Sequence, residues 1–183
     1  MQYFTADLHL GHTNILKHRP QFKNIEEMNN TIINNILNLM NKDDVLYVLG
    51  DIALKTIEIE KFLDIMIKNN KNVLLLKGNH DSLPYQKYNK YILKDCIYDI
   101  KIENQYITLC HFPMLCWEKS HYNSWMLHGH IHNSFVIPIQ GKIMNVGVDI
   151  NNFTPVSFIQ IKEFMDKQPN NFDNEILIKR KEN

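Results

Sequence analysis

Short polar clusters recur along this chain, each closing an apolar run: Asp7-Leu8-His9, Gly50-Asp51, Gly78-Asn79-His80-Asp81, His111 and Gly129-His130-Ile131-His132. A brief apolar run that stops at such a cluster reads as a buried strand. A chain built in this way must fold so that carboxylate, imidazole and amide groups meet at one edge of its sheets. Imidazole and carboxylate donors together suit divalent transition metals such as Zn, Fe, Mn or Ni. The most economical reading of the pattern is a hydrolase that works with two metal ions.

The segments between the clusters set the fold class. Residues 2–6 form a strand, and after Asn24 the apolar residues Met28, Ile32, Ile36 and Leu39 or Met40 recur at helical spacing, with Asn24 as N-cap and Glu27 three residues on. Residues 45–49 give a second strand, Ile59, Phe62, Leu63, Met66 and Ile67 a second helical stripe, and residues 73–76 a third strand. Strand-helix repeats imply right-handed crossovers and parallel pairing, which gathers the C-terminal strand ends along one edge. The second half reads as β-rich. Residues 97–102 and 106–110 flank Glu103-Asn104-Gln105 as a hairpin, and 125–127 is a strand. Residues 135–139 and 143–148 flank Gln140-Gly141 as another hairpin, and 156–161 is a last strand. Packing the two halves together predicts an α/β sandwich of two sheets with outer helices. A single domain is expected over 1–183, with 170–183 a loose helix or frayed end.

Composition narrows the functional classes. With 20 basic and 20 acidic residues the formal net charge is +0, so no strong field exists to hold a long polyanion or a membrane surface, and extended nucleic-acid binding is disfavoured. Cys96, Cys110 and Cys116 lack Cys-x-x-Cys spacing and are expected to be reduced thiols in a cytoplasmic protein. No secretory pattern is visible, and no apolar run approaches the ~18–20 residues of a membrane span. A small-molecule substrate is the expected partner.

Each cluster has its own chemistry. Residues two apart in an extended segment share a side, so Asp7 can act with His9, and His130 with His132. Gly50 and Gly78 let the backbone approach an ion closely. Asp51 is the natural bridge, since its two oxygens can span metals about 3.5–4 Å apart. Asn79 offers a neutral carbonyl oxygen. His18 and His121 belong to no cluster and read as ordinary surface or core residues.

Taken together the clusters resemble the motifs of the calcineurin-like metallophosphoesterases, D-x-H, G-D, G-N-H-[DE], H and G-H-x-H, all intact between Asp7 and Asp149. The resemblance implies a four-layer α/β/β/α sandwich of two mixed sheets flanked by helices. It also implies two divalent transition metals, Mn, Fe, Ni or Zn with Mn favoured. Asp7, His9, Asp51 and His132 would hold one, and Asp51, Asn79, His111 and His130 the other. A hydroxide held there would attack phosphorus, His80 would assist the leaving group, and Asp81 would orient the His80 ring.

Residues 7–15 and 111–114 are further similar to a small bacterial or phage-type subgroup, which would put His12 and Asn14 on the substrate side, although capping the following short helix fits them equally well. Trp117 and Trp125 can shape a pocket or be buried, His128 would lie outside the ligand shell, and Cys110 should point into the core. Arg19 is the only arginine near a motif and is the candidate contact to a terminal phosphate. No long insertion separates the motifs, so no cap domain is expected and the site should be open. The implied substrates are small phosphodiesters or phosphomonoesters, nucleotides among them, with diesters favoured. The alternatives are a metal-binding scaffold or interaction module of the same fold, or a nuclease-type subunit.

Overall fold

Burial alternates with period two along the strands, and that alternation builds the interior. In β2 (Val45–Leu49) Leu46 and Val48 face one core, while Tyr47 and Leu49 face another. The computed structural model describes residues 1–134 and 141–170. Its first sheet joins β1 (Gln2–Thr5), β2, β3 (Asn72–Leu76) and β8 (Val156–Ser157) in the order β3-β2-β1-β8. The second joins β4 (Ile97–Ile102), β5 (Gln105–Cys110), β6 (Trp125–His128) and β7 (Ile143–Asn145) in sequence order.

Helices α1 (Ile25–Leu39) and α2 (Thr56–Lys68) cover the outer face of the first sheet. The Asn24 side chain accepts the Glu27 N–H at 2.8 Å, so the expected cap is present, a contact of ~1 kcal/mol. Met28, Ile32 and Ile36 of α1 and Ile59, Phe62, Leu63 and Met66 of α2 are buried, whereas Ile67 turns outward at 39% exposure. A fully buried side chain of this kind contributes roughly 1.5–3 kcal/mol. Between the sheets, Phe4, Leu49 and Leu76 meet Ile107, Leu109, Trp125 and Leu127. A short helix, α3 (Tyr85–Tyr88), follows β3.

The C-terminal region departs from the strand expected over 156–161. Only Val156 and Ser157 pair, antiparallel to β1, and helix α4 (Phe158–Met165) begins at once. Ser157 and Gln160 form a reciprocal capping box, which the apolar residues Phe158 and Ile159 conceal in the sequence. Phe158, Ile161 and Met165 then enter the core between the sheets. Residues 135–139 of the second expected hairpin and 171–183 of the tail lie outside the described residues. The two mixed sheets flanked by helices are those the resemblance implies. Among the described residues no helix is long and apolar enough to cross a membrane.

Strand direction decides where the chemistry goes. β1, β2 and β3 pair in parallel, as do β5, β6 and β7. Every cluster singled out in the sequence follows one of these six strands. The antiparallel strands β4 and β8 contribute none. A parallel bridge between Ala6 and Gly147 ties the two runs together beside Asp7.

Candidate metal centre

Two groups of side chains converge where the parallel runs end. Asp7, His9 and His132 form the first group, and Asp51, His111 and His130 the second. Within each, one ligand atom per residue lies within 4.8 Å of the others. Asp51 stands between them, its Oδ2 3.7 Å from His9 Nε2 and 3.4 Å from His111 Nε2. Asn79 Oδ1 lies 2.9 Å from His111 Nε2, beside the second group.

The backbone is strained to achieve this. Asp7, His9, Asp51, His130 and His132 all have left-handed φ values, between 49° and 72°. Such a conformation costs about 1–3 kcal/mol per non-glycine residue and persists only where the surroundings enforce it. Here the enforcing contacts include the Asp7 N–H to the Gly50 carbonyl and the His9 N–H to the Asp51 carbonyl, both at 3.0 Å. Close approach matters as well. A Cβ on Gly78 would lie 2.2 Å from the Asp51 nitrogen, and one on Gly129 would lie 2.8 Å from Asp7 Oδ2.

Hydrogen bonds fix which ring nitrogens face inward. His111 Nδ1 donates to the Leu49 carbonyl at 2.9 Å, and His132 Nδ1 donates to Asp149 Oδ2 at 2.6 Å. Both Nε2 lone pairs are thereby turned toward the centre. His132 Nε2 lies 3.3 Å from His9 Nε2, and His111 Nε2 lies 2.9 Å from the Asn79 carbonyl oxygen, so ring nitrogens and an amide oxygen converge on the same space. Among the described residues the buried Nδ1 atoms of His9 and His130 have no hydrogen-bond partner. Converging lone pairs and orphaned ring nitrogens are what cations relieve, and the mixed imidazole, carboxylate and amide set fits two divalent transition metals.

The charges of the ligands divide: burial acts to lower His111 but its bond to Asp51 raises it, and the bond to Asp149 raises His132. Burial pushes the Asp7 pKa up to about 6, against the pull of the His130 amide and the nearby imidazoles of His132 and His111. Burial also acts to raise Asp51, but the His111 imidazole, the His80 amide and His9 outweigh it and hold its carboxyl below the usual range. Desolvation keeps His9 and His130 low, hence neutral and able to donate lone pairs. Divalent cations at these positions would compensate for the buried charge of Asp7.

A cavity of about 270 Å³ opens beside the first group, with His12, Asn14 and His80 on its wall. His12 and Asn14 thus lie on the open side of the site. The His80 side chain is 47% exposed, and its Nε2 is 4.0 Å from Asp51 Oδ2. Trp117, Trp125 and Cys110 are buried in apolar clusters, and buried His128 donates from Nδ1 to the Gly129 carbonyl at 2.8 Å.

Two expectations are corrected. Arg19 is not a substrate contact: it is 0% exposed, and its guanidinium is bonded to Asp149 and to backbone carbonyls. Its position in the sequence beside the first motif could not distinguish an outward from an inward side chain. Nor does Asp81 orient the His80 ring. Its Oδ1 accepts the N–H groups of Ile52 and Ala53 at 2.8 and 3.2 Å, and its Oδ2 accepts that of Gly78 at 2.9 Å, so it ties two loops together. Sequence reasoning passed over Asn133, Ser134 and Asp149, which share the cavity wall; His18, read as an ordinary surface or core residue, is exposed and also borders it. A signal for Asp149 existed: Gly147-Val148-Asp149 follows β7 much as Gly50-Asp51 follows β2.

Comparison with known proteins agrees with this geometry. Residues 3–180 match the calcineurin-like phosphoesterase family. The uncharacterized protein MJ1445 of Methanocaldococcus jannaschii is 31% identical over 173 residues, covering 90% of this chain and 91% of that protein. The crystal structure of the Aquifex aeolicus protein AQ665, of unknown function, superposes with a TM-score of 0.69 at 25% identity, covering 90% of this chain and 98% of that one.

Proposed function

The chain belongs to the calcineurin-like phosphoesterase family, and from that premise we propose that it is a two-metal phosphodiesterase acting on small esters, nucleotide diesters among them, with manganese as the favoured metal. The observation that carries the reading is the position of Asp51, whose Oδ2 is within 3.7 Å of a ring nitrogen from each candidate metal group. Two divalent cations, when bound, would make water a nucleophile at neutral pH and offset charge on the phosphoryl oxygens. In this reading Asp7, His9, Asp51 and His132 hold the first, and Asp51, Asn79, His111 and His130 the second.

The remaining residues divide the other tasks. His80 is exposed enough to meet substrate, and its backbone N–H donates to Asp51 Oδ1 at 3.0 Å, which anchors the loop while the ring stays half-exposed. Its Nε2 is the site from which a proton passes to the departing oxygen. His12 and Asn14, with His18, Asn133 and Ser134, offer polar contacts to an ester substituent in the cavity. Beside the second group Phe112 is 46% exposed and stands edge-on to the His130 ring, centroids 4.5 Å apart, an apolar face for a second substituent.

Preference for diesters follows from charge. A monoester near neutral pH is largely a dianion and gains most from fixed cationic donors beyond the metals. No lysine or arginine lines the cavity among the described residues, and Arg19 is buried elsewhere. With Mn loaded, bis-(p-nitrophenyl) phosphate should be cleaved with higher kcat/KM than p-nitrophenyl phosphate, and a nucleotide diester with higher kcat/KM than its monoester. A monoester advantage in both pairs overturns the diester assignment. Parallel assays with Fe, Ni and Zn test the metal. Absence of turnover with any ester and any metal would favour the scaffold reading.

A further inference from the structure

Arg19 is among the largest side chains to be completely buried, and it lies 12 residues after Asp7 in sequence. All five of its N–H directions are used. Nε donates to Asp149 Oδ1 at 2.7 Å and Nη2 to Asp149 Oδ2 at 2.8 Å, a bidentate fork. Nη2 also donates to the Asp7 carbonyl at 2.7 Å. Nη1 donates to the Leu8 carbonyl at 3.0 Å and contacts Met28 Sδ at 3.4 Å. A planar fork with five donors can do this; a lysine cannot.

These partners are not scattered. The Asp7 carbonyl belongs to a member of the first metal group, and the Leu8 carbonyl enters the peptide bond to His9, the second member. Asp149 Oδ2 accepts from His132 Nδ1 at 2.6 Å, and His132 is the third. One guanidinium therefore reaches every member of the first group, at two places where φ is left-handed, 60° at Asp7 and 51° at His9. The second group has other supports: His111 is fixed by the Leu49 carbonyl, and Asp51 by the His80 N–H.

We infer that Arg19, through Asp149, is the positioning residue of the first metal site alone, holding the Asp7-Leu8-His9 backbone and the His132 ring in ligating geometry while the second site forms without it. The inference rests on the two-metal reading. It assigns Arg19 no contact with substrate. Its consequence is that loss of the fork should uncouple two metal affinities that a merely structural arginine would lower together.

The test is Mn binding to the full chain by calorimetric titration, with circular dichroism and thermal unfolding to establish folding. Arg19→Lys keeps the charge and loses the fork. Asp149→Asn keeps the volume and weakens both ends of the relay. Either variant should lose affinity at one Mn by on the order of 10- to 100-fold, the range for outer partners of metal ligands, and retain the other within about threefold. His9→Ala and His111→Ala identify the site affected. Arg19→Lys should add little to His9→Ala and should abolish tight Mn binding in combination with His111→Ala. Equal weakening of both sites, or two unchanged sites in both variants, overturns the inference. If Arg19→Lys does not fold, Asp149→Asn decides. If neither folds, Arg19 is a core strut and the inference fails. A wild-type chain that binds no Mn would instead fail the two-metal reading itself.

Discussion

The two candidate metal groups are built from the same residue types, yet they are held differently. The first adds to its backbone contacts, the Asp7 and His9 N–H bonds and the His130 N–H on the Asp7 carboxylate, a brace of side chains from a distance, with the Arg19 guanidinium and the Asp149 carboxylate reaching Asp7, Leu8 and His132. The second is braced largely by backbone, through the Leu49 carbonyl to His111 and the His80 N–H to Asp51. A site braced by side chains can be loosened by one conservative substitution. A site braced by backbone yields only when a loop moves, which is why a Cβ at Gly78, 2.3 Å from Asp51 Oδ1, would disturb the second group. Asp51 is where the two designs meet.

The largest effect should therefore come from Asp51→Asn. Removing the shared negative charge weakens both groups at once, because each counts on the same carboxylate to offset its cation. Activity is expected to fall by on the order of 10³-fold, with tight Mn content reduced at both positions. Metal analysis beside kinetics checks this. Two tightly held equivalents in the variant would remove Asp51 from the bridging role and erase the distinction between a shared and a private ligand.

A smaller effect sharpens the comparison from the substrate side. His80 is exposed and belongs to neither ligand group, so His80→Ala should lower kcat by on the order of 100-fold and leave Mn stoichiometry unchanged. The loss should grow as the leaving group becomes poorer, since such an oxygen depends more on receiving a proton. Turnover equal to wild type on the best substrate would make His80 a bystander and strengthen the case for a scaffold.

Much of this was legible in the residues because strand ends and metal donors are both local signals. The Asn24 cap, the stripes of α1 and α2, and the clusters at Asp7, Asp51, Asn79, His111 and His130 each declare themselves within a few positions. Long-range partnerships did not. Arg19 and Asp149 are 130 residues apart, and nothing near either announces that one will bury its charge against the other. Asp81 shows the same limit at short range: a carboxylate beside His80 looks like its partner, but the chain turns it toward the amides of Ile52, Ala53 and Gly78. The capping box of Ser157 and Gln160 was present in the sequence, though masked by apolar residues that also fit a strand.

Asp81 supplies the smallest and most discriminating prediction. It is 4% exposed, and burial raises its pKa against the pull of the Gly78, Ala53 and Ile52 amides, so its two oxygens serve as a fixed clamp between the loops after β2 and β3. Asp81→Asn keeps one carbonyl oxygen and replaces the other with an NH₂ that faces an N–H. The backbone N–H and the new NH₂ then meet donor to donor with neither satisfied, a cost of about 1–3 kcal/mol for each buried donor. For a chain of this size that lowers Tm by roughly 2–4 °C per kcal/mol. Activity should fall by a similar factor for good and poor leaving groups, because the clamp supports the backbone of the second group and does not touch the His80 ring. A double-mutant cycle with His80→Ala separates the alternatives. Additive losses support a backbone clamp, whereas disappearance of the Asp81→Asn effect in the His80→Ala background would mean that Asp81 works through His80 after all.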